Sequence, residues 1–122
     1  MNRKVLPVAV AALIIAVLTS CGTGLPDKLK SEMVQLKVDS DAYVAAGNKI
    51  DAAIRAGAAQ YVGRFEDAQK EVRAADNAVQ ADLDAWQLTG AEPVMYSTHA
   101  TALRAAQNKV LVIAAAVAVG VN

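Results

Sequence analysis

Cys21 is the residue whose type and setting most clearly predict chemistry. It is the only cysteine among 122 residues, so its thiol has no partner for a disulfide within the chain. Leu18, Thr19 and Ser20 directly precede it, at the end of an apolar segment of 14 residues that spans 5–18. Two basic residues near the N-terminus complete the layout of a secretory signal. The predicted chemistry is therefore processing and modification at this thiol.

These features resemble the lipobox of bacterial lipoproteins, carried here by Leu18-Thr19-Ser20-Cys21. The resemblance implies a diacylglycerol on the Cys21 thiol, cleavage before Cys21 and acylation of the new amine with a fatty acid such as palmitate. Gly22 follows the cysteine, where an aspartate would resemble an inner-membrane retention signal. The resemblance therefore implies an outer-membrane lipoprotein facing the periplasm in a diderm host, and otherwise the outer face of the cytoplasmic membrane.

Two other interpretations of the N-terminus stay open at this point. The thiol could be an unmodified residue near a processed end. The apolar segment could instead remain as an uncleaved anchor, although 14 residues fall short of the roughly 20 that a membrane span needs. Both the lipid and the anchor place the rest of the chain outside the cytoplasmic membrane.

Length and charge limit what the exported part can be. Removal of residues 1–20 leaves 102 residues, enough for one small domain, which we divide into a short tether at 21–26 and a helical domain at 27–122. The whole chain carries 12 basic and 12 acidic residues, and two of the basic residues lie in the signal. A chain this close to neutral lacks the basic surface that nucleic-acid binding requires, so no nucleic-acid partner is predicted.

The other chemically versatile side chains do not assemble into a recognisable reaction centre. His99 is the only histidine, whereas a catalytic triad or a zinc site needs several partners at fixed geometry. Glu66–Lys70 and Asp51–Arg55 have the i, i+4 order of a solvated helix face. We therefore expect no enzyme, no metal, no small-molecule substrate and no cofactor besides the covalent lipid on Cys21.

The elements that would position these residues are predicted to be helices. No proline occurs between Asp27 and Leu88, and strong helix formers dominate that region. Gly90 and Pro93 mark a turn over 89–97, after which a second helix is predicted at about 98–119. The fold class is therefore all-α: a long amphipathic helix at about 27–88 with a shorter antiparallel helix, as a helical hairpin or a three-helix bundle.

Large apolar residues recur at helical spacing and define what we call the seam. Steps of four and three alternate along it, as in a coiled coil, except for double steps of four at 57–61–65 and 75–79–83. Its large members are Leu29, Met33, Leu36, Tyr43, Ile50, Ile54, Tyr61, Phe65, Val72, Val79, Leu83 and Trp86, and small or polar residues at Ser40, Gly47, Gly57, Ala68 and Ala75 fill the gaps.

The first half of the seam poses a packing problem. The second helix is too short to cover it if the first helix is straight. Burial of its six large side chains is worth on the order of 10 kcal/mol, comparable with the whole stability of a small domain. The chain must therefore fold back near Gly47 or Gly57, or this interaction seam must pair with another chain. The apolar end of the second helix, 110–121, favours pairing. The interaction seam comprises Leu29, Met33, Leu36, Tyr43, Ile50 and Ile54.

These features favour a structural or protein-interaction element of the cell envelope, tethered by its lipid and pairing with itself or with an envelope protein. The helical part is similar to murein lipoprotein, but the chain ends in Asn122 without that family's C-terminal lysine. Phage outer-membrane spanins resemble the same layout of a lipid and a helix. An inhibitor or exclusion lipoprotein is the alternative. It would be a compact bundle with an exposed loop at 89–97. A third option is lysis by the apolar segment 110–121.

Overall fold

The structure is a computed structural model that describes residues 25–120. It contains three α-helices, α1 (Asp27–Arg55), α2 (Val62–Thr89) and α3 (Tyr96–Ala118), with a 3-10 turn at Ala59–Tyr61 before α2. The predicted all-α class is confirmed, because the described residues contain helices and no strand. The predicted turn between the last two helices is also present, and α3 begins at Tyr96, two residues earlier than predicted.

The expectation that residues 27–88 form one helix is wrong. α1 ends in a Schellman motif, in which the Ala58 amide donates to the Ala53 carbonyl and the Gly57 amide donates to the Ile54 carbonyl. Gly57 takes a φ of 118°, which residues with a side chain rarely adopt. The chain therefore reverses near Gly57, one of the two positions considered, whereas Gly47 lies buried within α1.

Contacts between the helices define an up-down-up bundle. The pairs His99–Asp82 and Lys109–Glu71 join α3 to α2 in opposite directions. The pairs Tyr96–Glu32 and Arg104–Asp39 join α3 to α1 in the same direction. α3 thus packs against both other helices, while α1 and α2 touch each other over a smaller area.

The core follows one spacing rule on all three helices. Buried residues alternate at steps of four and three, as in coiled coils. These positions are Leu29, Met33, Leu36, Ser40, Tyr43, Gly47 and Ile50 on α1; Phe65, Gln69, Val72, Asp76, Val79, Leu83 and Trp86 on α2; and Tyr96, Ala100, Leu103, Gln107, Val110 and Ala114 on α3. The two double steps of four predicted along the seam do not occur. The first, 57–61–65, falls at the chain reversal. At the second, 75–79–83, the buried residue is Asp76 and not Ala75, which restores a step of three.

Two glycines near the reversal provide a matched test of its backbone geometry. At both Gly57 and Gly63, an added Cβ would meet no atom within 4 Å, so substitution by alanine changes only backbone energetics. Because Gly57 has a positive φ, Gly57→Ala is expected to lower the free energy of unfolding by about 1–2 kcal/mol. Gly63 lies in α2, where alanine is the better helix former, so Gly63→Ala is expected to raise the free energy of unfolding by about 0.5 kcal/mol. Denaturant unfolding of both variants measures these two changes. If Gly57→Ala and Gly63→Ala changed the free energy of unfolding equally, the positive φ of Gly57 would be contradicted.

Candidate functional site

The residues predicted from the sequence do not come together as one site. Cys21, Leu18, Thr19 and Ser20 lie outside the described residues. The interaction seam lies inside the bundle: five members are at most 2% exposed, and Ile54 packs partly buried against the same core. The chain's own helices cover this seam, so of the two alternatives the fold-back near Gly57 accounts for its burial. Functional surfaces must be sought among the exposed residues. The five deeply buried members are Leu29, Met33, Leu36, Tyr43 and Ile50.

A polar network ties α3 to α1 at one edge of the core. The Tyr96 hydroxyl donates to Glu32 Oε1 at 2.7 Å. Arg104 Nε donates to Asp39 Oδ2 at 3.1 Å, and its Nη2 lies 3.4 Å from Glu32 Oε1. Burial of the Tyr96 ring raises the pKa of its hydroxyl, which keeps the hydroxyl a donor throughout the physiological range. This network fixes the register of the two parallel helices.

Removal of the Tyr96 hydroxyl tests the strength of this network. Tyr96→Phe keeps the ring that packs edge-on against Trp86, at a centroid distance of 5.1 Å, and deletes only the bond to Glu32. A hydrogen bond to a carboxylate in this partly buried setting contributes about 2 kcal/mol. We therefore expect Tyr96→Phe to lower the free energy of unfolding, measured by chemical denaturation, by about that amount. A change below about 0.5 kcal/mol would show that water replaces the hydroxyl at no cost.

Two charged pairs join α2 to α3. Asp82 Oδ2 lies 2.6 Å from His99 Nδ1, and Lys109 Nζ contacts Glu71 Oε1 at 2.7 Å. His99, the single histidine, is half-buried and links α3 to α2. Its contact with Asp82 is a pair and not the set of partners that a catalytic triad or a zinc site needs.

The middle of the core is polar. Asp76 is 1% exposed, and neither of its carboxylate oxygens has a hydrogen-bond partner among the described residues. Ser40 on α1 and Gln107 on α3 are also buried polar residues. Burial raises the pKa of Asp76 from 3.8 to about 6, because an isolated carboxylate loses its hydration there. Sequence reasoning missed this residue by placing its apolar neighbour Ala75 on the seam.

The bundle end formed by the α2–α3 loop carries exposed apolar side chains. Leu88 is 87% exposed, Val94 is 96% exposed and Met95 is 49% exposed, all within eight residues of chain. We call these three residues the apolar tip. The loop lies beside the start of α1, because Lys28 Nζ contacts Glu92 Oε1 at 2.7 Å. The sequence indicated the loop through Gly90 and Pro93, but not that its apolar side chains face solvent.

A shallow cavity of about 320 Å³ lies between α2 and α3 near the other end of the bundle. Its charged lining alternates in sign, with Arg64 and Lys109 beside Asp67 and Glu71, and Val112 and Ile113 form its apolar side. Because Lys109 already pairs with Glu71, the cavity presents no net charge that would select an ionic ligand.

The described part of the chain has neither a cluster of metal-binding side chains nor a helix that could span a membrane. Across residues 25–120, no three side chains of the metal-binding types His, Cys, Asp and Glu come together as a possible metal site. Among the helices of that region, none combines the length and apolarity needed to cross a membrane. Comparison with known protein families, curated proteins and solved structures found no match.

Proposed function

We propose that this chain is a lipid-anchored, three-helix interaction module of the bacterial cell envelope, held to a membrane through Cys21. The observation that carries the proposal is the closed core: twenty apolar residues between Leu29 and Ala114 are buried by the chain itself. Such a module completes its own fold and leaves its surfaces available for a partner. The lipobox resemblance of the residues up to Cys21 supplies the anchor in this proposal.

An inhibitor or exclusion lipoprotein is the second candidate, and one observation favours it. That function needs a compact three-helix bundle with an exposed loop, and the structure has a three-helix bundle whose loop at 90–95 is largely exposed. A lytic function is less well supported. Val110, Ile113 and Ala114 are buried in the bundle, so the apolar segment would have to leave the core before it could disturb a bilayer.

Metabolic labelling tests the anchor. The full chain, expressed in a bacterial host with radiolabelled palmitate, is expected to carry label and to float with membranes in a density gradient. Cys21→Ser is the matched control, since it removes only the thiol, and it is expected to lose both the label and the processed mass. An unlabelled wild-type chain, or equal flotation of the variant, would contradict anchoring through Cys21.

Site-specific photo-crosslinking tests the interaction half of the proposal. A photoreactive amino acid at Val38 or Val112, which are 56% and 60% exposed, is expected to form an adduct of one defined mass in intact cells. The same probe at Leu103, which is fully buried, controls for unfolding. An adduct at twice the mass of the chain identifies a homo-oligomer. No adduct at any exposed position contradicts an interaction module.

A further inference from the structure

The apolar tip lies at the bundle end where the chain enters from Cys21. The ion pair between Lys28 and Glu92 places the loop against the first turn of α1. Leu25, the first described residue, packs partly buried against the core. Three residues separate Cys21 from Leu25, so their Cα atoms are four residue steps apart and at most about 14 Å from each other in a fully extended chain. A lipid on Cys21 would therefore hold this end of the bundle close to the bilayer.

The apolar tip is held in place by hydrogen bonds. Gly90 takes a left-handed conformation, and its amide donates to the Trp86 carbonyl at 2.7 Å, which closes α2. The Tyr96 amide donates to the Pro93 carbonyl at 3.1 Å, which starts α3. These bonds keep Val94 almost fully exposed on a defined loop, although a large apolar side chain gains by leaving water. Three large apolar side chains exposed within eight residues of chain are a candidate surface for an apolar partner.

The charges on the loop fit a lipid surface. Glu92 is the single ionisable residue between Asp84 and His99 other than Tyr96, and Lys28 pairs with it. The hydrogen bond with Glu92 raises the pKa of Lys28, so the Lys28 ammonium stays charged at neutral pH. The loop thus carries no uncompensated charge that would resist entry into the interfacial region of a bilayer, where an exposed apolar patch is stabilised by burial.

We propose that Leu88, Val94 and Met95 insert into the interfacial layer of the membrane that holds the lipid of Cys21, and so orient the bundle. The inference rests on the proposed anchor. Because α1 has 29 residues, it extends about 43 Å. Insertion of the apolar tip would place the reversal at Gly57 about that far from the bilayer, and the end of the 23-residue α3 about 35 Å from it. A partner in the envelope could reach both.

Fluorescence of a label on the loop tests the insertion. The full lipidated chain with Val94→Cys has one free thiol, since the Cys21 thiol is consumed by the lipid, and it is labelled with the environment-sensitive dye NBD. Ala59→Cys, exposed at the opposite end, is the matched control. In phosphatidylcholine and phosphatidylethanolamine vesicles, we expect at least a threefold rise in emission at position 94 and at least twofold quenching by nitroxide lipids. The label at position 59 is expected to stay in water.

A second arm separates failure of insertion from failure of the anchor. The three described helices and the core that they bury lie within residues 25–120, so a chain that starts at Gly22 is expected to keep this bundle. With an N-terminal histidine tag, this chain binds vesicles that contain nickel-chelating lipid, whatever happens at Cys21. Quenching at position 94 is expected here too, and Leu88→Asp should reduce it to the level of position 59.

Each outcome decides the proposal. If the nickel-bound chain shows no quenching at position 94, insertion of the apolar tip is overturned, even if palmitate labels Cys21. If quenching occurs there while the natural chain takes no palmitate, insertion stands as a property of the loop and the anchor fails. A blue shift at position 94 without vesicles, together with dimers in sedimentation, would assign the loop to a second copy and overturn the lipid proposal.

Discussion

Asp76→Asn is expected to raise the free energy of unfolding at pH 7 by about 3 kcal/mol. The wild-type carboxyl is 1% exposed, has no hydrogen-bond partner among the described residues, and titrates near pH 6 in the folded chain against 3.8 as the ordinary value. Each pKa unit corresponds to about 1.36 kcal/mol. Asparagine has nearly the same shape and carries no charge, so it mimics the protonated acid.

The sign of the pH dependence follows from the raised pKa of Asp76. The folded chain binds this proton more tightly than the unfolded chain, so the stability it supplies is fully present below pH 3.8. That stability is lost as the pH rises through about 6. The wild-type chain is therefore expected to lose stability between pH 4 and 7, whereas the Asp76→Asn variant is expected to lack this loss.

Denaturant unfolding of the chain from Gly22, at pH values from 4 to 7, measures both effects. Asp84→Asn is the matched control, because Asp84 is exposed on the same helix, and it is expected to change the free energy of unfolding by less than about 0.5 kcal/mol. Identical pH profiles for the wild type and Asp76→Asn would show that the Asp76 carboxylate is solvated or paired, contrary to the structure.

Ile50→Asp is expected to abolish the folded state. Ile50 has no exposed surface, and its burial stabilises the fold by about 1.5–3 kcal/mol. An unpaired charge in its place adds a penalty of several kcal/mol. Their sum is comparable with the total stability of a small domain. We expect loss of the helical circular-dichroism signal and of the cooperative unfolding transition.

Val38→Asp is the control on the same helix. Val38 is 56% exposed, so this variant is expected to keep the wild-type signal and to unfold within about 0.5 kcal/mol of the wild type. The pair also decides between the two explanations of the seam. If Ile50→Asp stayed folded and changed only an oligomer into monomers in sedimentation, the seam would join chains, and the closed bundle described here would be wrong.

The sequence locates the loop that carries the apolar tip, but it does not show that the side chains of the tip face solvent. Gly90 and Pro93 indicate a loop because of their backbone preferences, which are local. That Leu88 and Val94 face solvent depends on how the loop lies over the bundle end, and the helical pattern gives no information there. The link between Lys28 and Glu92 joins residues 64 positions apart, and therefore follows from the bundle topology alone.

The sequence by itself determined the helical class, the loop near Gly90 and most of the buried apolar set, because helix propensity and apolar spacing are local properties. Only the tertiary structure decided the reversal at Gly57 and the burial of Asp76. A glycine costs a helix about 1 kcal/mol and is equally suited to a Schellman motif, so local energetics do not choose between continuation and reversal. Burial of the α1 seam, worth on the order of 10 kcal/mol, makes that choice. Its cost includes an unpaired carboxylate in the core, at Asp76, whereas the spacing of apolar residues alone places Ala75 on the seam.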